Sequence, residues 1–370
     1  MSDTPSQAYH LLELIALCGE LPAAAICRLP MTKSYRYKVV AGLKNKKLIR
    51  LYERDGVKAY RLTAAAKELL MQQSPSRFHT YLDGSAEQNL YRSELTRRLR
   101  LHANAQTYVT MRNAGIPLFR DEKAPLFEAS PRAAVSQPDA AVFYCSREFK
   151  DIGNESKKIR SSRASGILFD DKRIYLTYNT GGTIMKWEHQ TEMRLRSLID
   201  ARFCHNPERS WYSGDDIIGL MLGDSMETAL QLLRSGGGYR NSGFRPDAAF
   251  ERFWFCPNSP AGEAQLRILT SSSIYAQIRQ LLLSDLMPKS EESSIEHDAW
   301  EPSGRPILLA LDFDMPRLRR FRDALELFGR TGQLFCFDFQ VPVLREYMDG
   351  LVDVRSVSLD KIRRRYLTVT

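Results

Sequence analysis

The chain is predicted to be an α/β multidomain protein, on three observations. It has 370 residues, 43% of them hydrophobic, which is enough for more than one core. Its first seventy residues read as three helices, two short strands around a tight turn, and a closing helix. From about residue 116 strands alternate with helices, a spacing that implies parallel pairing through crossovers. The expected division is a small N-terminal domain at 1–74, a linker and basic helical connector at 75–115, a mixed α/β domain at 116–283, and a C-terminal α/β segment at 299–370 packed on it.

The N-terminal elements follow from local signals. QAYHLLELIALCGE (7–20) places Leu11, Leu14, Ile15, Leu17 and Cys18 at helical spacing, and Gly19 suits a stop. Pro22 is expected to open a second short helix, ended by Pro30. Thr32 or Ser34 caps a third, with Tyr35, Val39, Val40 and Leu43 as its apolar stripe. Leu48 to Glu53 alternates, Asp55-Gly56 signals a hairpin, and Val57 to Thr63 returns. Thr63 caps the closing helix.

Charge is concentrated on this stretch. Thr32 to Arg61 holds ten basic residues against Glu53 and Asp55, a net +8 where the whole chain carries +9. Such segregation describes a surface rather than a fold. Three helices, a two-stranded wing and a closing helix form the order of a winged helix-turn-helix, and residues 7–73 resemble the winged-helix repressors of bacteria. In that fold the third helix enters the major groove of double-stranded DNA and the wing grips phosphates. The expected DNA-binding residues are Lys33, Tyr35, Arg36, Tyr37, Lys38, Lys44, Lys46, Lys47, Arg54, Lys58 and Arg61. Tyr35, Tyr37 and Lys33 stand where base or sugar contact is expected. The competing reading is a basic face that is merely solvated.

Further along, 74–87 has the composition of a linker. A long helix then carries Leu90, Leu95, Leu99, Val109 and Met111 on one face and Arg92, Arg97, Arg98 and Arg100 on another. Those arginines either extend a DNA footprint or lie in solvent. In the body, 140–145 reads as a buried strand, and 166–169 with 173–179 as a hairpin around Asp170-Asp171. Residues 187–200 and 216–234 read as helices, 250–257 as a strand, and 274–286 as a helix. An acidic, serine-rich joint at 284–304 leads to a strand–helix–strand–helix–strand tail with a basic end.

Three strings could carry chemistry. Pro138-Asp139 followed by Glu148-Phe149-Lys150 spells the signature of restriction-endonuclease-like nucleases, in which Asp139 and Glu148 would hold Mg²⁺ and Lys150 would position water. If the chain turns back after 145, Glu148 pairs near Phe143, about 13 Å along the sheet from Asp139, too far for one shared ion. Glu155 and Lys157 offer a displaced version. PDAA recurs at 138–141 and 246–249, which implies either related halves or a favoured turn before a strand. Asp312, Asp314 and Asp338 end buried strands, as a carboxylate cluster or as helix N-caps. No H-x-H, phosphate-binding G-x-x-x-x-G-K-[ST] or G-x-S-x-G string occurs. The six cysteines are scattered without a C-x-x-C pair, as in a reducing compartment.

The whole order is similar to the replication-relaxation proteins of plasmids and integrative conjugative elements. Thr32–Arg61, the YRSELTRRLRLH connector and QPDAAVFY with the SRASGILF hairpin carry that resemblance. It implies DNA binding at an origin, with roles in plasmid replication, DNA relaxation or conjugative transfer, and transfers no catalytic residue. A specific site would be read through the winged helix, and the α/β body would then serve homodimerisation or the docking of other DNA-processing proteins. Two alternatives stay open: a Mg²⁺-dependent nuclease or nickase, and a transcription regulator with a ligand-sensing body. No apolar run approaches the roughly 20 residues of a membrane span, and the N-terminus lacks a basic leader. The expected location is therefore the cytoplasm, in association with nucleoid or plasmid.

Overall fold

The computed structural model describes residues 6–83, 94–127, 136–150, 159, 161–235, 244–245, 250–288 and 294–367. The fold is mixed α/β and divides into two compact units, Met1–Leu126 and Phe127–Thr370. Among the described residues no helix is long and apolar enough to cross a membrane.

In the first unit, α1 (Gln7–Cys18) is buried from Leu11 to its C-terminus and forms the centre of the core. It leads into β1 (Leu21–Pro22), so Pro22 lies in a strand and does not open a helix. Leu21 pairs with Tyr60 and Pro22 with Ala59, and a short edge strand tolerates proline because one side needs no donor. A single 3₁₀ turn, Ala25–Arg28, replaces the expected second helix. Then come α2 (Lys33–Asn45), β2 (Ile49–Arg54), β3 (Val57–Leu62) and α3 (Ala64–Gln73). The sheet order is β1-β3-β2, all antiparallel. Thr32 caps α2 and Thr63 caps α3, each accepting from a backbone N–H in the first turn. At the hairpin, Asp55 and Gly56 both take positive φ, +53° and +74°, the geometry that favours this pair of residues.

The expected linker is ordered over its described part as α4 (Pro75–Leu82), with Pro75 in its first turn. Phe78 and Tyr81 are buried edge-on to Phe119. The connector is α5 (Leu95–Asn113). Both belong to the first compact unit, which extends to Leu126.

A buried carboxylate holds these pieces together. Glu20, 1% exposed, accepts from Arg61 Nε at 2.6 Å, Arg98 Nε at 2.8 Å and His102 Nε2 at 2.7 Å. Arg98 also donates to the carbonyls of Arg54 and Val57 on either side of the hairpin turn, at 3.0 and 3.1 Å. Burial pushes the Glu20 carboxyl up, but the bonds from His102, Arg98 and Arg61 outweigh it and hold its pKa at about 2.

The second unit contains two five-stranded sheets. The first has order β4-β5-β6-β7-β8, from β4 (Val142–Cys145), β5 (Gly166–Phe169), β6 (Ile174–Gly181), β7 (Ile217–Gly223) and β8 (Phe253–Pro257). The first three strands are antiparallel, and β6, β7 and β8 are parallel. The four-residue helix α6 (Ser146–Phe149) follows β4, and α7 (His189–Phe203) and α8 (Met226–Arg234) make the crossovers. The helix expected over 216–234 is thus a strand followed by a helix. IIGLMLG is buried at every position, and a short run apolar on both faces carries no period to distinguish strand from helix. Asp170 turns the β5–β6 hairpin by accepting from the N–H groups of Lys172 and Arg173, both at 2.7 Å. After β8 come α9 (Pro260–Leu269), which the sequence reading missed, and α10 (Ser272–Leu283).

The second sheet is β13-β12-β11-β10-β9, from β9 (Met287–Pro288), β10 (Ala299–Trp300), β11 (Pro306–Leu309), β12 (Gly332–Phe337) and β13 (Val352–Val357). Again the first three strands are antiparallel and the last three parallel. The crossovers are α11 (Met315–Phe328) and α12 (Val341–Met348), and α13 (Leu359–Ile362) follows β13. The sheets meet where β8 touches the segment after β11: Phe255 N–H donates to the Phe313 carbonyl at 3.1 Å.

The Glu20 pKa has a direct consequence. A carboxyl depressed from 4.5 to about 2 contributes stability that is present above pH 4.5 and lost as pH falls through 2. Its size is about 3 kcal/mol, from roughly 1.4 kcal/mol per pKa unit. Glu20→Gln is expected to destabilise the first unit by about 3–5 kcal/mol at neutral pH, because two buried guanidinium groups lose their counter-charge. It should also flatten the acid limb of a urea-denaturation profile between pH 5 and 2. An unchanged midpoint at pH 7 would show that the network contributes nothing net.

Candidate nucleic-acid interface

The basic stretch folds into two adjoining elements, α2 and the β2–β3 hairpin. On α2 only Val39 and Leu43 are buried, so the apolar stripe is narrower than expected. Tyr35 is 46% exposed and Tyr37 68%. Lys33, Lys38 and Lys44 are exposed on the helix, and Lys46 and Lys47 in the turn after it. Arg36 is half-buried and donates to the Met31 carbonyl at 2.9 Å. On the hairpin, Arg50, Arg54 and Lys58 are exposed. Lys58 faces Glu53 at 3.1 Å and Arg54 faces Asp55 at 3.5 Å. Exposed pairs of this kind contribute little to stability and exchange readily for another anion. Lys44 lies over the Tyr60 ring, 5.3 Å from its centroid.

Arg61 is the exception. Its guanidinium is 4% exposed, bound to Glu20 and packed 3.6 Å from the Tyr52 ring centroid. It belongs to the core and not to the basic face. Strand alternation is the cause: Lys58 and Tyr60 point one way from β3, and Ala59 and Arg61 point inward. Arg98, expected on an exposed face that either extends a DNA footprint or lies in solvent, is fully buried. Arg97 is exposed and paired with Glu94 at 2.9 Å. Arg92 lies outside the described residues.

The chain matches no family model, no curated protein and no solved structure.

The nuclease-like string does not assemble. Asp139 is exposed at the bend before β4. Glu148 lies beyond the other end of that strand, in α6, and not on a returning strand. Four strand residues, about 13 Å, separate them. Glu148 is buried, and its carboxylate accepts the Cys145 N–H at 2.7 Å, capping α6. Lys150 donates its ammonium to the carbonyls of Ser162 and Ala164, at 2.8 and 3.1 Å. Both side chains tie loops to the sheet. Glu155, Lys157 and the second PDAA lie outside the described residues, and among those described no group of His, Cys, Asp and Glu is placed to hold a metal ion.

The aspartates of the tail also part company. Asp314 is the N-cap of α11 and accepts from the Phe253 N–H at 3.2 Å. Burial and the neighbouring Asp312 push its pKa up. Arg252 reaches both, at 3.2 Å from Asp314 and 3.4 Å from Asp312. Asp338 instead accepts from the Leu359 N–H at 3.3 Å. Beside Arg252 opens a cavity of about 980 Å³ in the second unit, lined by the β5–β6 turn, α10 and α11. Its wall mixes both signs: Arg317 bonds Glu296 at 2.6 Å and Asp298 at 3.1 Å, and Arg279 holds Asp298 at 2.9 Å. No spacing in the sequence could have indicated it, because its residues come from 137 to 320.

For the Asp139–Glu148–Lys150 string the expectation is structural. Glu148→Ala should cost the second unit about 1 kcal/mol, the worth of a cap, because the Cys145 N–H loses its acceptor. Mg²⁺ should shift the melting temperature of wild type and Asp139→Ala equally. A Mg²⁺-dependent rise that only the wild type shows would restore the metal site.

Proposed function

We propose that residues 1–126 form a winged-helix domain that binds double-stranded DNA, with α2 in the major groove and the β2–β3 hairpin as the wing. One observation carries this reading. The exposed cations of α2, of the turn after it and of the hairpin adjoin two exposed tyrosines, while Arg61 and Arg98 are withdrawn to the core. A solvated surface has no use for exposed tyrosines, whereas a groove offers sugars and base edges to them. Lys33 and Arg36 stand at the start of α2, whose first turn has no acid, so helix dipole and side chains favour an anion together. The resemblance to replication-relaxation proteins supports placing this binding at a plasmid or mobile-element site, in replication, relaxation or transfer. A second reading, a regulator whose body takes a ligand, is favoured by the charged cavity.

Anisotropy titration of labelled duplex DNA over a salt series tests the proposal. Affinity should fall steeply with salt, with a log–log slope of about −0.9 per phosphate contacted. Lys44→Ala and Lys58→Ala should each make the slope shallower by about one unit. Tyr37→Ala should lower affinity for a preferred duplex more than for random sequence. If none of these changes alters affinity, the interface lies elsewhere.

A further inference from the structure

We propose that Arg98 is the positioning residue that sets the hairpin tip for phosphate contact; this rests on the DNA-binding reading above. The sheet alone holds the tip weakly. β2 is an edge strand, and β1 pairs only with Ala59 and Tyr60, three residues short of the turn. The next contact toward the tip is the Ala23 N–H on the Lys58 carbonyl, at 3.0 Å. Beyond that point Arg98 takes over from α5. Its Nη1 donates to the Arg54 carbonyl at 3.0 Å and its Nη2 to the Val57 carbonyl at 3.1 Å. Those two residues are the last β-pair before Asp55-Gly56.

The geometry uses the guanidinium plane. One face of donors reaches two hairpin carbonyls while Nε binds Glu20 at 2.8 Å, so the tip is fixed in angle and not only in distance. The group also packs against the Tyr52 ring of β2, 4.7 Å from its centroid. Glu20 is bonded in turn by Arg61 of β3, which closes a loop through α5, the end of α1 and both hairpin strands. The tip carries Arg54 and Lys58, both exposed, one on each face of the hairpin. A tip ordered in advance delivers these cations without an ordering cost at the moment of binding, which is what preorganisation contributes to affinity. Arg98 itself has no exposure and never touches DNA.

A double-mutant cycle on the full chain tests this, with random-sequence 20-base-pair duplex as probe across a salt series. Arg98→Lys keeps the charge opposite Glu20 but cannot span two carbonyls and a carboxylate. It should retain the wild-type circular dichroism spectrum and lose about 3–10-fold in affinity, and Lys58→Ala should then cost less than about 2-fold more, far less than in the wild-type background. Arg98→Met should show the same coupling more strongly; if it does not fold, the lysine pair decides. Equal cost of Lys58→Ala in both backgrounds overturns the positioning role while leaving the DNA reading intact. Absence of salt-dependent binding by the wild type, with no effect of Lys44→Ala on α2, removes both.

Discussion

The architecture of the first unit depends on one carboxylate. An ionised glutamate taken out of water costs several kcal/mol unless its lone pairs are filled. Glu20 is filled by three side chains from two elements: Arg61 on β3, and Arg98 and His102 one turn apart on α5. That requirement fixes where α5 lies against the sheet and why a strand follows α1 directly. It also divides the basic residues into two populations. Arg28 on Gln106 and Thr110, and Arg77 on Glu13, Asp121 and Glu122, are further members of the structural group. The exposed cations of α2 and the hairpin form the other group, and the chain's positive balance is concentrated there.

What could be read from the sequence follows from which signals are local. Thr32 and Thr63 as caps, Asp55-Gly56 as a hairpin turn and Asp170 at the β5–β6 turn each depend on residues within a few positions. They appear where local chemistry puts them. Arg61 and Arg98 could not be assigned, because their partners lie 41 and 78 positions away from them. The charge count treats a buried, neutralised arginine and an exposed one alike. Pro22 and residues 217–223 failed for a different reason: proline is compatible with a helix start and with a sheet edge, and a fully buried run has no period.

The body shows the same limit at larger scale. Its two sheets have one plan, an antiparallel meander followed by two parallel strands through helical crossovers. The repeated PDAA string does not mark that plan. The first copy precedes β4 and the second precedes β8, which are opposite edges of the same sheet. The meander of the second sheet begins with β9 and β10, two residues each, too short to show any alternation. The candidate site was legible on α2 and the hairpin, whereas the cavity of the body depends on arginine–carboxylate pairs that only the fold brings together.

The α2 helix shows where stability and function diverge. Lys33 and Arg36 sit at the positive end of its dipole, each unfavourable by about 0.3–1 kcal/mol. Val39 and Val40 are β-branched, and Gly42 weakens a helix interior by about 1 kcal/mol relative to alanine. No atom lies within 4 Å of where a Gly42 Cβ would sit, so packing does not demand glycine there. Only Val39 and Leu43 anchor the helix to the core. A helix selected for stability alone would carry acids at its start, alanine at 42 and no exposed tyrosines. Each of these departures becomes favourable once a phosphate backbone lies along the exposed side: the cations gain counter-charge, the dipole gains an anion, the tyrosines gain contacts, and Gly42 permits close approach. Under the proposed DNA-binding reading, the features of α2 that do not serve the helix itself have a common use.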